Sequence, residues 1–162
     1  MTASMVIESP VGMLTLTERD GALISLTWGA GRSSDATDLL RRAAQDIEAY
    51  FSGDLNIFDL PLAPQGTDFQ KRVYRAMQAI PFGATRSYGD LAADLGSAAR
   101  AVGGACGSNP IPIVIPCHRV VAASGRLGGF SGGQGASTKT WLLRHEDAQG
   151  LDTHGMQQFS LL

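Results

Sequence analysis

The chain is poor in the residues that build disulfide scaffolds and metal sites. It has only two cysteines, Cys106 and Cys117, and three histidines, His118, His145 and His154, in 162 residues. That stock cannot make a disulfide framework or a four-ligand zinc site of paired CxxC motifs, so neither a structural metal nor a cofactor is expected. A run of about 18 apolar residues is also missing. The N-terminal stretch MTASMVIESP lacks a basic segment followed by an apolar one, and these absences together lead us to expect a cytoplasmic protein with no signal peptide and no membrane contact. Internal repeats and low-complexity segments are absent as well. What remains is a chain of 44% hydrophobic residues, enough to bury a core in one domain or two small ones.

Net charge is −2, which counts against a generally basic nucleic-acid binder, but the total conceals a split. Residues 1–68 sum to −6, residues 69–146 to +6 and residues 147–162 to −2. A basic second half is the footprint a polyanion partner needs, and charge scattered over solvated faces is the alternative.

Three short β-rich segments, Met5–Glu8, Met13–Thr17 and Leu23–Trp28, are separated by Pro10–Gly12 and Asp20–Gly21 and read as an antiparallel meander. Leu40, Ala43, Ala44, Ile47 and Phe51 then recur at helical spacing over Ala36–Phe51. The polar, proline-bearing connection Ser52–Gly66 is the best domain boundary, giving an α/β domain over 1–66 and a second domain over 67–162. Thr67 and Gln70 open the second domain as a capping-box pair, ahead of a helix faced by Phe69, Val73, Ala76, Met77 and Ile80. Ser87 and Asp90 repeat the signature before a helix through Leu95, Gly96 breaks it, and Ala98–Cys106 reads as a helix of very small residues. The pair is helix-turn-helix-like. Ile111–Ile115 reads as a short buried strand, Arg126–Gly133 as a glycine-rich loop and Thr138–His145 as a closing helix with Trp141, Leu142 and Leu143 in the core.

Cys117 sits between Pro116 and His118 at the end of the Ile111–Ile115 run. A thiol there is a buried filler, a metal ligand or a nucleophile. Pro116 ends the strand and removes a donor, so Cys117 lies at a transition where it can face a pocket. His118 and Arg119 are potential cations close enough to favour thiolate. Adjacent residues in extended chain face opposite ways, so Cys117 and His118 are not expected to share a metal, and a water is the expected link between them. Glu146, near the end of the last helix, is a candidate to orient His118.

The motif PCHRV, with Asn109–Pro110 before it and GGFSGG (128–133) after it, resembles the active-site region of the O6-alkylguanine-DNA alkyltransferases. The similarity runs from Phe69 to Glu146 through FQKRV, IPFGATRSYG, LAADLG, ARAVGGA and WLLRHE, whereas residues 1–66 match only in their order of strands and helix. The resemblance implies an N-terminal ribonuclease-H-like domain, a three-stranded antiparallel sheet plus a helix, and a mostly helical C-terminal domain of winged-helix or helix-turn-helix type. It also implies a reaction, the transfer of an alkyl group from O6 of guanine, with O4-alkylthymine a second candidate, to Cys117. The thioether product has no activated carbonyl for water to attack, so each molecule reacts once.

The family pattern further implies that His118 deprotonates Cys117 through water, that Glu146 holds His118, that Asn109 braces the turn carrying the cysteine, and that Tyr88 protonates the leaving guanine. Backbone groups of Cys117 and Val120, together with Ser131 and Phe130, would recognise the flipped base, and Lys139 would assist at the oxygen. Arg100 matches the finger that fills the vacated stack. Ala98, Ala99, Ala101 and Gly103 suit a helix pressed into the minor groove of double-stranded DNA, with Gln70 and Tyr88 as further contacts, for a protein acting as a monomer. The sequence departs from the pattern in a shorter turn between Gly96 and Arg100, in Phe130 where many members have tyrosine, and in a longer link from Gly133 to Lys139. Zinc ligands found near the N-terminus of some animal members are not matched. Three rival functions remain: a non-catalytic sensor of alkylated DNA, a cysteine hydrolase that turns over, and a sequence-specific helix-turn-helix regulator.

Overall fold

Asp20 and Gly21 both take positive φ, 53° and 84°, as a two-residue hairpin turn requires. The computed structural model, which describes residues 2–123, 127–128 and 132–149, places them between β2 (Leu14–Arg19) and β3 (Ala22–Trp28). With β1 (Thr2–Ile7) these strands form an antiparallel sheet in the order β1-β2-β3, with a register shift at Thr17/Glu18. Helix α1 (Asp38–Ser52) begins where the Thr37 side chain accepts from the Leu40 amide and ends at Gly53, whose φ of 87° is left-handed. It packs on β1 and β2, so Leu40, Ala43, Ile47 and Tyr50 share a core with Leu14, Leu16, Leu23 and Leu26. Each such side chain contributes about 1.5–3 kcal/mol when fully buried.

The chain divides into two compact units, Met1–Gln65 and Gly66–Leu162. In the second, α2 (Asp68–Gln78) starts with a complete Thr67/Gln70 capping box, and α3 (Tyr88–Leu95) with a complete Ser87/Asp90 box. Gly96 ends α3 in the left-handed conformation, and after a two-residue link α4 (Ala99–Gly107) packs on both α2 and α3. The helix-turn-helix pair is present, with α4 shifted one residue later than expected at each end. A sulfur contact of 3.5 Å from Cys106 to Met77, and a bond from the Tyr74 hydroxyl to the Ser108 carbonyl, tie α4 to α2.

Ile111–Ile115 is not a strand. It is a buried turn closed by the Ile115 amide on the Ile111 carbonyl, with Ile113 at φ 74°. An isoleucine pays about 1–3 kcal/mol for that conformation. The turn is held by burial of Ile111, Ile113 and Ile115 and by Asn109, whose Oδ1 accepts from the Ile111 amide while its Nδ2 donates to the Ile115 carbonyl. The chain then makes a 3-10 turn, Cys117–Arg119, and only afterwards a strand, β5 (Val120–Val121), parallel to β4 (Arg86–Ser87).

Helix α5 (Ala136–Gln149) starts earlier and ends later than the spacing suggested. Leu142 and Leu143 are buried, but Trp141 is only half-buried and stacks on His145, with ring centroids 5.1 Å apart. Among the described residues, no helix is long and apolar enough to cross a membrane.

Candidate active site

The short β4–β5 ladder positions the site. Its β4 strand runs directly into Tyr88, and its β5 strand leaves directly from the Cys117–Arg119 turn, so two regions about thirty residues apart in sequence are pinned side by side. Helix α5 packs against the same turn and brings Lys139 and Glu146 to it.

Glu146 is 1% exposed and His118 is wholly buried, with His118 Nε2 2.5 Å from Glu146 Oε2. Burial disfavours the carboxylate, but the facing His118 charge and hydrogen bond, and then those of Arg119, hold the Glu146 carboxyl far below the usual carboxylate range. An ionised carboxylate can only accept, so Nε2 carries the hydrogen of this contact, and Nδ1 is the ring nitrogen left to act as a base. That Nδ1 is buried and has no hydrogen-bond partner among the described residues.

Cys117 is buried in the same turn, and burial pushes its thiol up, while a hydrogen bond with Asn109 and the charge of Lys139 pull it back. A resting thiol in this setting needs a base. The cation acting on it is Lys139, not Arg119 as the sequence suggested. Arg119 turns away, with Nε 2.8 Å from Glu146 Oε1, Nη2 3.1 Å from Oε2 and Nη1 donating to the Ile80 carbonyl at 2.7 Å. Nor is the Cys117–His118 backbone extended, so the opposite-faces argument does not apply to a 3-10 turn.

Lys139 is fully buried, and its amine donates to the Val120 carbonyl at 2.7 Å and to the Tyr88 hydroxyl at 3.4 Å. Burial lowers it from 10.5 to about 8, against the opposing pull of Cys117 and Cys106. Tyr88 is half-buried, and Gly128 presses on it: a Cβ there would lie 2.7 Å from both Cε2 and Oη of the ring. Cys117, His118, Glu146, Asn109, Tyr88, Val120 and Lys139 thus belong to one neighbourhood. Phe130 and Ser131 lie outside the described residues.

On α4, Ala98, Ala99, Arg100 and Ala101 are exposed, whereas Gly103 is half-buried and faces Tyr88, where a Cβ would meet the ring at 3.9 Å. Gln70 is engaged in the α2 capping box through Oε1. Sequence reasoning missed the fork of Arg119 on Glu146, since a contact 27 residues apart leaves no local periodicity. It also missed Gly128, whose signal was its place at the head of GGFSGG.

Comparison with known proteins decides the kinship. Residues 68–148 match the family description "6-O-methylguanine DNA methyltransferase, DNA binding domain", and residues 4–64 match "6-O-methylguanine DNA methyltransferase, ribonuclease-like domain". The chain belongs to the 6-O-methylguanine DNA methyltransferase family. A methylated-DNA–protein-cysteine methyltransferase of Mycolicibacterium paratuberculosis is 47% identical, over 78% of this chain and 82% of that one. One from Methanosarcina acetivorans is 40% identical over 87% and 96%. The crystal structure of the Mycobacterium tuberculosis O6-methylguanine methyltransferase superposes with a TM-score of 0.82 at 41% identity, covering 94% of this chain and 97% of the other. A structure of the M. tuberculosis protein in complex with DNA superposes at 0.79, with 40% identity and coverage of 91% and 94%. The mixed architecture of this methyltransferase family, a sheet-bearing N-terminal unit and a helical C-terminal one, is the architecture found here.

Proposed function

We propose that this chain is a DNA repair methyltransferase that moves the alkyl group from O6 of a damaged guanine onto Sγ of its own Cys117, once per molecule. The observation that carries this reading is the buried Glu146–His118 pair, whose histidine lies in the same turn as Cys117, in a chain of this family. His118 Nδ1 takes the thiol proton through a water. The thiolate attacks the alkyl carbon, the S–C bond forms as the C–O6 bond breaks, and the electron pair passes to the guanine. Tyr88 supplies the proton that lets guanine leave as a neutral base, and Lys139, donating to the Tyr88 hydroxyl, stabilises the phenolate left behind.

Asn109 braces the turn beneath Cys117, while backbone groups of Cys117 and Val120, with Ser131 and Phe130, recognise the base. Exposed Ala98, Ala99 and Ala101 let α4 approach the floor of a minor groove about 6 Å wide, and Arg100 fills the stack the guanine leaves, with the protein bound as a monomer. A sensor that only binds the lesion needs no buried base beside a thiol, and that reading is not favoured.

Cys117→Ala is expected to abolish transfer from an O6-methylguanine duplex while keeping affinity for that duplex within a few-fold. Transfer that survives the substitution would overturn the assignment.

A further inference from the structure

We infer that Arg119 is a positioning residue that sets the lower pH limit of alkyl transfer by sharing the carboxylate that orients His118. This rests on the transfer reading above. Both oxygens of Glu146 are engaged by the two side chains: Oε2 faces His118 Nε2 and Arg119 Nη2, and Oε1 faces Arg119 Nε and, at 3.4 Å, the Gly83 amide. The guanidinium is itself fixed from three sides, by Glu146 of α5, by the Ile80 carbonyl beyond α2, and by the Phe82 ring, whose centroid lies 5.9 Å away. Arg119 is 6% exposed, so water screens this arrangement little.

Two consequences follow from the charges. With His118 neutral, Arg119 and Glu146 cancel, and the buried cluster carries no net charge. When His118 takes a proton the cluster becomes a buried cation, which Arg119 opposes at close range. A base must be unprotonated before the reaction, and Arg119 supports that state while its planar fork aims the carboxylate at the imidazole. Tyr74 of α2, Cys106 of α4 and Lys139 of α5 each couple to Cys117, and the buried Asp147 of α5 adjoins Glu146 in sequence.

Without Arg119, Glu146 would attract the His118 proton unopposed, and the base would be occupied at pH values where the native protein reacts. The test is the single-turnover rate of methyl transfer from an O6-methylguanine duplex, measured against pH for the native chain, Arg119→Met and Arg119→Lys. In Arg119→Met the acid limb is expected to move to higher pH by about one unit. Arg119→Lys keeps the charge but loses the fork, so its limb should stay in place while its plateau rate falls by roughly tenfold.

An Arg119→Met protein with a native thermal transition and an unmoved acid limb would overturn the inference. Should Arg119→Met not fold, Arg119→Lys decides: a lowered plateau with the native limb supports the role, and native rates at every pH overturn it. The native chain is the control for the underlying reading, because failure of the native protein to methylate Cys117 would remove that reading whatever the variants do.

Discussion

Gly128 shows how much of the site depends on a missing side chain. Its φ of 72° is strained for any L residue, and a Cβ would come within 2.7 Å of the Tyr88 hydroxyl and ring edge. Gly128→Ala therefore meets two costs, about 1–2 kcal/mol of backbone strain and a collision that only a shift of Tyr88 or of the loop relieves. Since a displacement of about 1 Å near the reacting atoms can cost on the order of 100-fold, the transfer rate is expected to fall by at least tenfold with only a modest loss of thermal stability. A native single-turnover rate in this variant would show that Tyr88 does not need its observed place. The sequence showed a glycine here but not its neighbour, because Tyr88 and Gly128 meet only through the fold.

At the scale of elements, the legible features were the local ones. The Thr67/Gln70 and Ser87/Asp90 boxes close within four residues, and both are complete in the structure. The Asp20–Gly21 hairpin turn is equally local. Ile111–Ile115 was misread because an apolar run records burial but not conformation: the Asn109 side chain, bonded to both Ile111 and Ile115, turns that run back on itself. Likewise β4 and β5, two residues each, are too short to leave a pattern, although their pairing sets Tyr88 beside the cysteine turn.

Helix α4 carries the prediction at this scale. Its exposed Arg100 is expected to matter only when a base must be extruded, so Arg100→Ala should slow repair of O6-methylguanine in duplex DNA by tenfold or more. Its reaction with free O6-benzylguanine should change little. Equal losses on both substrates would remove the finger role and leave α4 as packing.

Over the whole molecule, charge and chemistry separate along the chain. Residues 1–68 carry a net −6 and residues 69–146 a net +6. The basic segment contains every residue assigned to the reaction and falls within the part matched by the DNA binding domain of the family. Composition alone could not tell this from scattered surface charge. The network around Glu146 joins Ile80, Gly83, Arg119 and Glu146, and it became visible only when three separate stretches were folded together.

The most direct test is intact-protein mass spectrometry, with peptide mapping, after mixing the native chain with a duplex containing one O6-methylguanine. The expected result is a gain of about 14 Da, confined to Cys117 and never exceeding one equivalent per protein molecule. Tight binding with no gain in mass, or demethylation that continues past one equivalent, would contradict a single-turnover transfer to this thiol.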